Sequence, residues 1–390
     1  MRSETARLGV LEPDEMGGTP RLVFANQLRG IAALAVVVSH LVGVFWWSRD
    51  FIALATSTPV QQGTRPGFTA IVASPWFMAG PFGVALFFLI SGLVIPFSLD
   101  RLSTRGFLLA RILRIYPTYI AALLIEILVL HLNGWFWNKQ FPYSTGTILA
   151  NLLLVHTVSG SPSIDLVNWS LSIELKFYMI AALVAPALRR RKLWLPVAIG
   201  SVLTVIALLL RLPSPGSGVV ASSFDTVRQT LRMESVYLVF MLIGMLFTLR
   251  LRSVANGGLT VAGLLGSIMV LLVLFVFCWR IGPQAEQYPI VLFNYGYALM
   301  LFSASFLFRK RIRRAWLLDR LADISYPIYV VHMIVGASIM KLLLLRFGWS
   351  PLSCLITALI SLLALAIILH RLVERPSISI GRTLAKACFR

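Results

Sequence analysis

Apolar segments long enough to cross a bilayer recur along the chain, and short polar breaks separate them. A weaker apolar run from Thr147 to Val158 contains Asn151 and His156, and it is predicted to form a short interfacial or re-entrant helix. The pattern predicts an all-α polytopic membrane protein with about ten transmembrane helices. The ten predicted spans are roughly 25–46, 80–98, 112–132, 169–188, 193–211, 234–249, 258–279, 289–308, 324–345 and 352–371.

The composition favours a membrane protein, since 58% of the 390 residues are hydrophobic and only 13% are charged. A soluble domain cannot bury so much apolar surface. Residues 1–22 lack the apolar core and cleavage site of a secretory signal, so they are predicted to form a disordered cytoplasmic tail. The integral membrane domain is expected over 23–375, and a cytoplasmic C-terminal tail over 376–390.

Positive charge is divided unevenly between the two sides of the predicted layout, and this division sets the orientation. With the N-terminus inside, 25 of the 35 Lys and Arg residues fall on the inner side and nine on the outer side, while Lys176 lies within a span. We therefore expect both termini in the cytoplasm, and the basic, short-looped layout is typical of a protein of the bacterial inner (plasma) membrane. Topology also explains the net charge of +20, so membrane lipid rather than nucleic acid is the expected partner.

Several common catalytic motifs are absent from the sequence. The chain has no P-loop, no Gly-rich dinucleotide turn, no HExxH and no serine nucleophile elbow. Its three cysteines, Cys278, Cys354 and Cys388, have neither CxxC nor metal-ligand spacing, so no metal site is expected.

An arginine and a histidine stand eleven residues apart in the first predicted span, at Arg29 and His40. Eleven residues make about three helical turns, so the two side chains face nearly the same way, ~16 Å apart along the axis. His40 would lie deep in the membrane, with Arg29 near the inner edge. Ionisable groups at such depth are costly and indicate a functional site by default.

Glu174, in the fourth span, is predicted to reach the same depth as His40. A carboxylate that orients a histidine fixes its tautomer and stabilises the imidazolium, which is what a general base requires. We therefore expect His40 and Glu174 to form a catalytic pair, and a hydrogen bond that only packs the helices is the alternative. Glu126, a carboxylate at mid-depth in the third span, is expected to pair with Lys176 or a histidine. The remaining ionisable groups His131, His156, His370 and Glu374 are placed at the interfaces, where they cost little.

Two more arginines, Arg111 and Arg114, share a helix face at the inner end of the third span. Together with Arg29 they would place three guanidinium groups at an inner mouth. This arrangement suits a phosphorylated ligand, because guanidinium binds phosphate in a bidentate manner. Simple anchoring at the positive inner surface is the alternative.

Smaller polar groups along the spans are candidates for a substrate pathway. A serine followed by glycine in the second span favours close helix approach and interhelical hydrogen bonds. Two tyrosines and a histidine recur every third residue in the ninth span, and this polar stripe either lines a pathway or forms structural hydrogen bonds. The pathway candidates are Ser91, Asn168, Trp169, Ser170, Tyr326, Tyr329 and His332.

Taken together and in order, these motifs resemble those of the membrane-bound acyltransferase 3 family, whose bacterial members O-acylate surface polysaccharides, lipids and some secondary metabolites. The resemblance extends from about Gln27 to Arg382. It rests on Arg29-x10-His40, Phe87-Phe88-x-x-Ser91-Gly92, Arg111-x-x-Arg114 followed by Tyr-Pro, Trp169-Ser170-Leu171-x-x-Glu174, Ser325-Tyr326-x-x-Tyr329-x-x-His332 and Val373-Glu374-Arg375-Pro376.

The resemblance implies an integral membrane O-acyltransferase that uses acetyl-CoA, or another acyl-CoA, as donor. The phosphates of the donor would bind Arg29, Arg111 and Arg114, and His40 would deprotonate a hydroxyl of a surface or exopolysaccharide or its lipid-linked precursor. A small-molecule glycoside such as a macrolide is an alternative acceptor, and an acyl-histidine relay is an alternative mechanism. A transporter or lipid flippase is the alternative from another class, although no inverted repeat with matched broken helices is evident. Homo-oligomerisation stays open.

Overall fold

The computed structural model of the chain describes residues 11–12, 21–190, 192, 194–212, 219–253 and 260–387. Most of the predicted N-terminal tail, and Cys388 at the other end, lie outside the described residues. Two short strands at the start, Leu11–Glu12 and Arg21–Leu22, pair in antiparallel fashion. All other regular structure in the described residues is helical.

The helices are numbered here in chain order. They are α1 (Val23–Trp47), α2 (Arg49–Thr56), α3 (Ala79–Arg101), α4 (Thr104–Trp137), α5 (Thr145–Leu152), α6 (His156–Ser159), α7 (Trp169–Leu183), α8 (Ala185–Arg189), α9 (Leu195–Leu209), α10 (Val219–Ser253), α11 (Val261–Ile281), α12 (Gln284–Gln287), α13 (Val291–Leu307), α14 (Trp316–Asp323), α15 (Ser325–Phe347), α16 (Pro351–Leu369) and α17 (Arg375–Ala387). A 3₁₀ helix spans Gly67–Val72, and π-helical turns span Ser39–Val44 within α1 and His370–Glu374 between α16 and α17.

Nine of the ten predicted spans each coincide with one helix, but the helices differ in length. Seven of those described are long and apolar enough to cross a membrane, namely α1, α3, α4, α10, α11, α15 and the continuous α16–α17. The apolar helices α9 and α13 have 15 and 17 residues, short of the roughly 20 that a 30 Å hydrocarbon core requires. The fourth predicted span is divided between α7 and α8. The chain is therefore a multi-pass helical membrane protein, and the count of ten spans stays a prediction.

The weaker run predicted as one re-entrant helix over 147–158 is divided between α5 and α6. The predicted C-terminal tail also differs from expectation. It forms α17, which packs along α4 as part of the helical bundle.

Helix α3 lies at the centre of the bundle, against α1, α10 and α13. Its crossing with α10 depends on two glycines, because a Cβ atom at Gly92 would overlap the Met241 carbonyl oxygen and one at Gly244 would overlap the Leu89 carbonyl oxygen. Small residues at such a crossing let helix backbones approach closely. This confirms the prediction that Gly92 permits close packing.

Replacing Gly92 by alanine should therefore destabilise the fold. Overpacking of this kind typically costs about 1–3 kcal/mol, and here the overlap is with backbone that cannot rotate away. We expect Gly92→Ala to lower the melting temperature of the purified protein in detergent. Gly266→Ala is the matched control, because a Cβ at Gly266 in α11 meets nothing within 4 Å. An equal loss in both variants would contradict this account of the crossing.

Candidate functional site

A cavity of about 320 Å³ opens between the central helices. Its wall follows α3 from Val84 to Arg101, a length of ~25 Å at 1.5 Å per residue. The other wall residues come from α1, α4, α7, α14, α15 and α17, from Leu22 just before α1, and from the segment that joins α16 to α17. Five arginines line it: Arg29, Arg101, Arg111, Arg114 and Arg382.

The three arginines predicted to converge do line this one cavity. The Arg111 side chain is 8% exposed, and its guanidinium carbon lies 5.4 Å from the ring centres of both Phe107 and Tyr178. Its Nε atom is buried without a hydrogen-bond partner among the described residues. Arg111 is hydrogen-bonded to Tyr178 through its other nitrogens, whereas Arg29 and Arg114 form neither a hydrogen bond nor an ion pair with another described residue. Donors left open in this way suit an anionic ligand with several oxygens.

Glu174 lies in the same cavity as the arginines. Its Oε1 atom accepts hydrogen bonds from Ser91 Oγ at 2.6 Å and from the Tyr178 hydroxyl group at 2.5 Å. It also interacts electrostatically with Arg29 and Arg111. The interhelical bond from Ser91, next to Gly92, joins α3 to α7.

The prediction that Glu174 orients His40 is wrong. The partner of His40 is His332 of α15, with 2.7 Å between His40 Nδ1 and His332 Nε2. Side chains of α1 beyond Ser39 leave the α-helical phase, because the π-helical turn Ser39–Val44 takes an extra residue per turn. The direction of His40 could therefore not be calculated from a regular helix.

The hydrogen bonds of the histidine pair define its tautomers. His332 is fully buried, and its Nδ1 atom lies 2.8 Å from the carbonyl oxygen of Tyr329, which can only accept. Neutral His332 therefore carries its proton on Nδ1, and its Nε2 atom accepts from the Nδ1–H of His40. The Nε2 atom of His40 is then unprotonated, as a base requires.

Four of the seven pathway candidates line the cavity: Ser91, Ser170, Tyr326 and Tyr329. The Ser170 and Tyr329 hydroxyl groups are hydrogen-bonded at 2.7 Å, and Tyr326 donates to the Ile115 carbonyl oxygen at 2.9 Å. Neither His40 nor His332 is part of the cavity wall. Tyr329 is part of it, and His332 lies one helical turn beyond Tyr329 in α15.

Asn168 and Trp169 do not line the cavity. Asn168 is fully buried; its amide group donates to the Tyr119 hydroxyl and to Asn151 Oδ1, both at 2.8 Å, and its oxygen accepts from Ser163 at 2.7 Å. The Trp169 ring packs against the rings of Phe88 and Tyr237. Both residues make structural contacts at the start of α7, and their predicted role in a pathway stays a prediction.

The cavity also contains residues to which the sequence assigned no role. His370 and Glu374 both line it, with 2.6 Å between His370 Nδ1 and Glu374 Oε2, whereas the sequence placed them at an interface without function. Their i, i+4 spacing on a helix is the signal from which the pair could have been predicted. Arg101 and Arg382 are further wall residues, and Arg382 belongs to the segment predicted as a tail. Among the described residues, no group of three or more His, Cys, Asp or Glu could hold a metal ion.

Replacing Asn168 by alanine should reduce stability rather than ligand binding. The change leaves the buried partners of Asn168 unsatisfied, at a cost of about 1–3 kcal/mol for each stranded group. We expect a lower melting temperature in detergent. Asn26→Ala is the control, since Asn26 is half-buried with one hydrogen bond, to Asp319 at 2.9 Å. The melting temperature should fall less in this variant. An unchanged melting temperature for Asn168→Ala would favour the pathway role over a structural one.

Comparison with known protein families matches residues 22–371 to the acyltransferase 3 family, described as an acyltransferase domain. No curated protein and no solved structure matches the chain. The family match covers nearly all of the chain, including the arginine-lined cavity up to His370 and the histidine pair. The chain therefore belongs to the membrane-bound acyltransferase 3 family and is a multi-pass membrane acyltransferase.

Proposed function

We propose that the protein moves an acyl group, most simply acetyl, from acyl-CoA to a hydroxyl group of a surface polysaccharide or its lipid-linked precursor, with His40 as general base. The observation that carries the proposal is the hydrogen bond between His40 and His332 beside an arginine-lined cavity. The bond leaves a basic nitrogen on His40, and the cavity offers open donors to an anionic substrate. We place the protein in a bacterial inner membrane with both termini in the cytoplasm, on the strength of the 25-to-9 division of Lys and Arg.

The donor end of the site is the arginine-lined part of the cavity. The diphosphate of acyl-CoA would bind the guanidinium groups of Arg29, Arg111 and Arg114, whose open donors match its oxygens. From Arg29 to His40 the helix rises ~16 Å, a span that the pantetheine arm can bridge. Phe87 and Tyr329 line the cavity, and their rings meet edge to face with their centres 5.5 Å apart. Tyr329 lies one helical turn from His332. The acyl group would pass this contact to reach His40.

The reaction is a proton transfer joined to acyl transfer. His40 Nε2 takes the proton of the acceptor hydroxyl as its oxygen attacks the thioester carbonyl carbon, and the C–S bond then breaks. The imidazolium of His40 returns the proton to the departing thiolate, so the products are an ester and free CoA. His332 acts as a positioning residue, since its Nε2 atom accepts from His40 Nδ1 and keeps the other nitrogen free.

The acceptor would approach from the side of α1 that carries Trp47, opposite the arginines. Connections after α1 and α4 cover this end of the bundle. Lys341 donates to the Pro59 carbonyl oxygen at 2.8 Å and to the Gln61 side chain, and Gln61 donates to the Phe45 carbonyl oxygen at 2.8 Å. These connections are the surfaces that would distinguish a glycan from a small glycoside.

Changes in the histidine pair test the proposal directly. We expect His40→Ala to reduce acetyl-CoA-dependent acylation of a cell-envelope glycan extract by ~10²–10⁴-fold, the usual contribution of a general base. His332→Ala should reduce the acylation activity by a smaller factor. His332→Gln should keep more activity than His332→Ala, because the glutamine carbonyl oxygen can accept the hydrogen bond from His40. The measurement is CoA release by protein of matched monodispersity.

His131→Ala is the control for these variants, since His131 is exposed and its contacts among the described residues are a hydrogen bond to the Ile127 carbonyl oxygen and stacking on Phe141. It should retain wild-type activity. Full activity in His40→Ala would refute the role of His40 as the base. Equal losses in His332→Ala and His332→Gln would refute the positioning role.

Changes in the arginines test the donor site separately. Loss of a charge-assisted hydrogen bond costs about 1.5–3 kcal/mol, or roughly 10–100-fold in affinity. Arg111→Gln and Arg114→Gln should weaken acetyl-CoA binding by this factor in calorimetry, and the binding should also weaken as salt rises. Arg346→Gln, at the exposed far end of α15, should bind as wild type does. If the two cavity variants bind acetyl-CoA normally, the diphosphate lies elsewhere.

A further inference from the structure

Glu126 is a carboxylate without any partner inside the helical bundle. It lies in the middle of α4 and is fully buried, and neither of its oxygens has a hydrogen-bond partner among the described residues. Lys176, the partner that the sequence suggested, is instead paired with Glu234 at 2.6 Å. A bare carboxylate in such a place would lose its hydration without compensation.

A second buried acid faces the same region. Asp165, in the connection before α7, is 1% exposed, and its Oδ2 atom is also buried without a partner. Its Oδ1 atom accepts hydrogen bonds from the backbone N–H groups of Val167 at 3.0 Å and Asn168 at 2.8 Å. Asn168 in turn donates to the Tyr119 hydroxyl at 2.8 Å.

Tyr119 and Glu126 lie on one face of α4. Seven residues separate them, which is about two helical turns. That face is therefore the one that meets the connection carrying Asp165, and the two carboxyl groups interact electrostatically with each other. Three of their four oxygens are open, and no described lysine, arginine or histidine neutralises them. Like charges so placed cannot both be ionised at low cost.

We propose that Glu126 and Asp165 form a proton-binding site, in which the two interacting carboxyl groups together retain one proton in the folded protein. A proton fits the donor set better than a metal ion does, because no third His, Cys, Asp or Glu among the described residues joins the pair. The proton supplies the hydrogen-bond donor that the open oxygens lack.

The site lies at a place where its protonation can affect the cavity. Asp165 holds the backbone that leads into Ser170, and the hydroxyl group of Ser170 is hydrogen-bonded to Tyr329 in the cavity wall. Loss of the retained proton would drive the two carboxylates apart and strain this connection. The proposal stands independently of the acyl donor and acceptor.

Stability should fall as pH rises, because the folded pair binds its proton more tightly than the unfolded chain does. Burial raises the pKa of Asp165 to about 6, whereas free carboxyl groups titrate near 4. The loss therefore begins near pH 4 and is complete once the folded pair has released its proton. The other titratable groups that interact with the pair are Tyr119, Tyr143 and, for Asp165, Tyr329.

The test compares melting temperatures of wild type and Glu126→Gln in detergent from pH 5 to pH 8. Glutamine has the shape of a neutral carboxyl group and removes the like charge. We expect the variant to melt only slightly higher than wild type at pH 5, and the difference to grow to roughly 2–4 °C at pH 8. Infrared spectroscopy of the wild type should show the carbonyl band of a buried protonated carboxyl group, absent from Glu126→Gln.

Glu234→Gln is the matched control, since Glu234 is equally buried but has Lys176 as its partner. This variant should be less stable than wild type at every pH. If Glu126→Gln instead melts lower than wild type throughout the pH range, the proton site is refuted. At pH 8, the melting temperatures should also be compared in Na⁺ and in N-methylglucamine. A higher melting temperature in Na⁺ for wild type but not for Glu126→Gln would refute the proton site in favour of a metal cation. If Glu126→Gln does not fold, absence of the carboxyl band from wild type overturns the proposal.

Discussion

Ionisable side chains inside an apolar bundle must each find a partner or a ligand, because unpaired charge is costly where water is excluded. This constraint governs the interior of the protein. His40 and His332 satisfy each other while both stay neutral. Lys176 satisfies Glu234 by direct ion pairing. Glu174 instead collects hydroxyl donors. Among the described residues, buried polar atoms without a hydrogen-bond partner include Arg111 Nε in the cavity, both oxygens of Glu126, Asp165 Oδ2 and both ring nitrogens of His156.

The same packing that closes the bundle also builds the site. The two-glycine crossing of α3 and α10 brings α3 to the centre, and Ser91, beside Gly92, then reaches Glu174 on α7. From there the cavity follows α3, and its wall continues on α15 through Tyr329. The carbonyl oxygen of Tyr329 accepts a hydrogen bond from His332 and so sets its tautomer, and His332 in turn accepts from His40 and orients it. Small changes in helix position would therefore alter the orientation of His40, the proposed base.

Sequence patterns predicted the features that depend on spacing along one helix. Apolar length located the helices, and the i, i+3 spacing of Arg111 and Arg114 placed both in the cavity with Arg29. Two residues of the polar stripe of α15, Tyr326 and Tyr329, share the cavity wall, whereas His332 does not. These predictions succeed because a regular helix fixes which residues share a face.

Features that depend on the angle between helices could not be predicted in the same way. The partner of His40 was mistaken because a π-helical turn changes the phase of α1 at that residue. The buried hydrogen bonds of Asn168 to Tyr119 and Asn151 could not be predicted, because they join segments far apart in sequence. Arg382 was missed because a polar, amphipathic segment gives no indication of which helix it will pack against.

The most direct test of the central claim is a structure of the protein bound to a non-hydrolysable acetyl-CoA analogue. The account predicts the diphosphate on the guanidinium groups of Arg29, Arg111 and Arg114. It also predicts the acyl carbonyl carbon close enough to His40 Nε2 for a bound hydroxyl to bridge them, with reacting atoms at about 3–3.5 Å. A diphosphate bound away from these arginines, or an acyl group remote from the histidine pair, would contradict it.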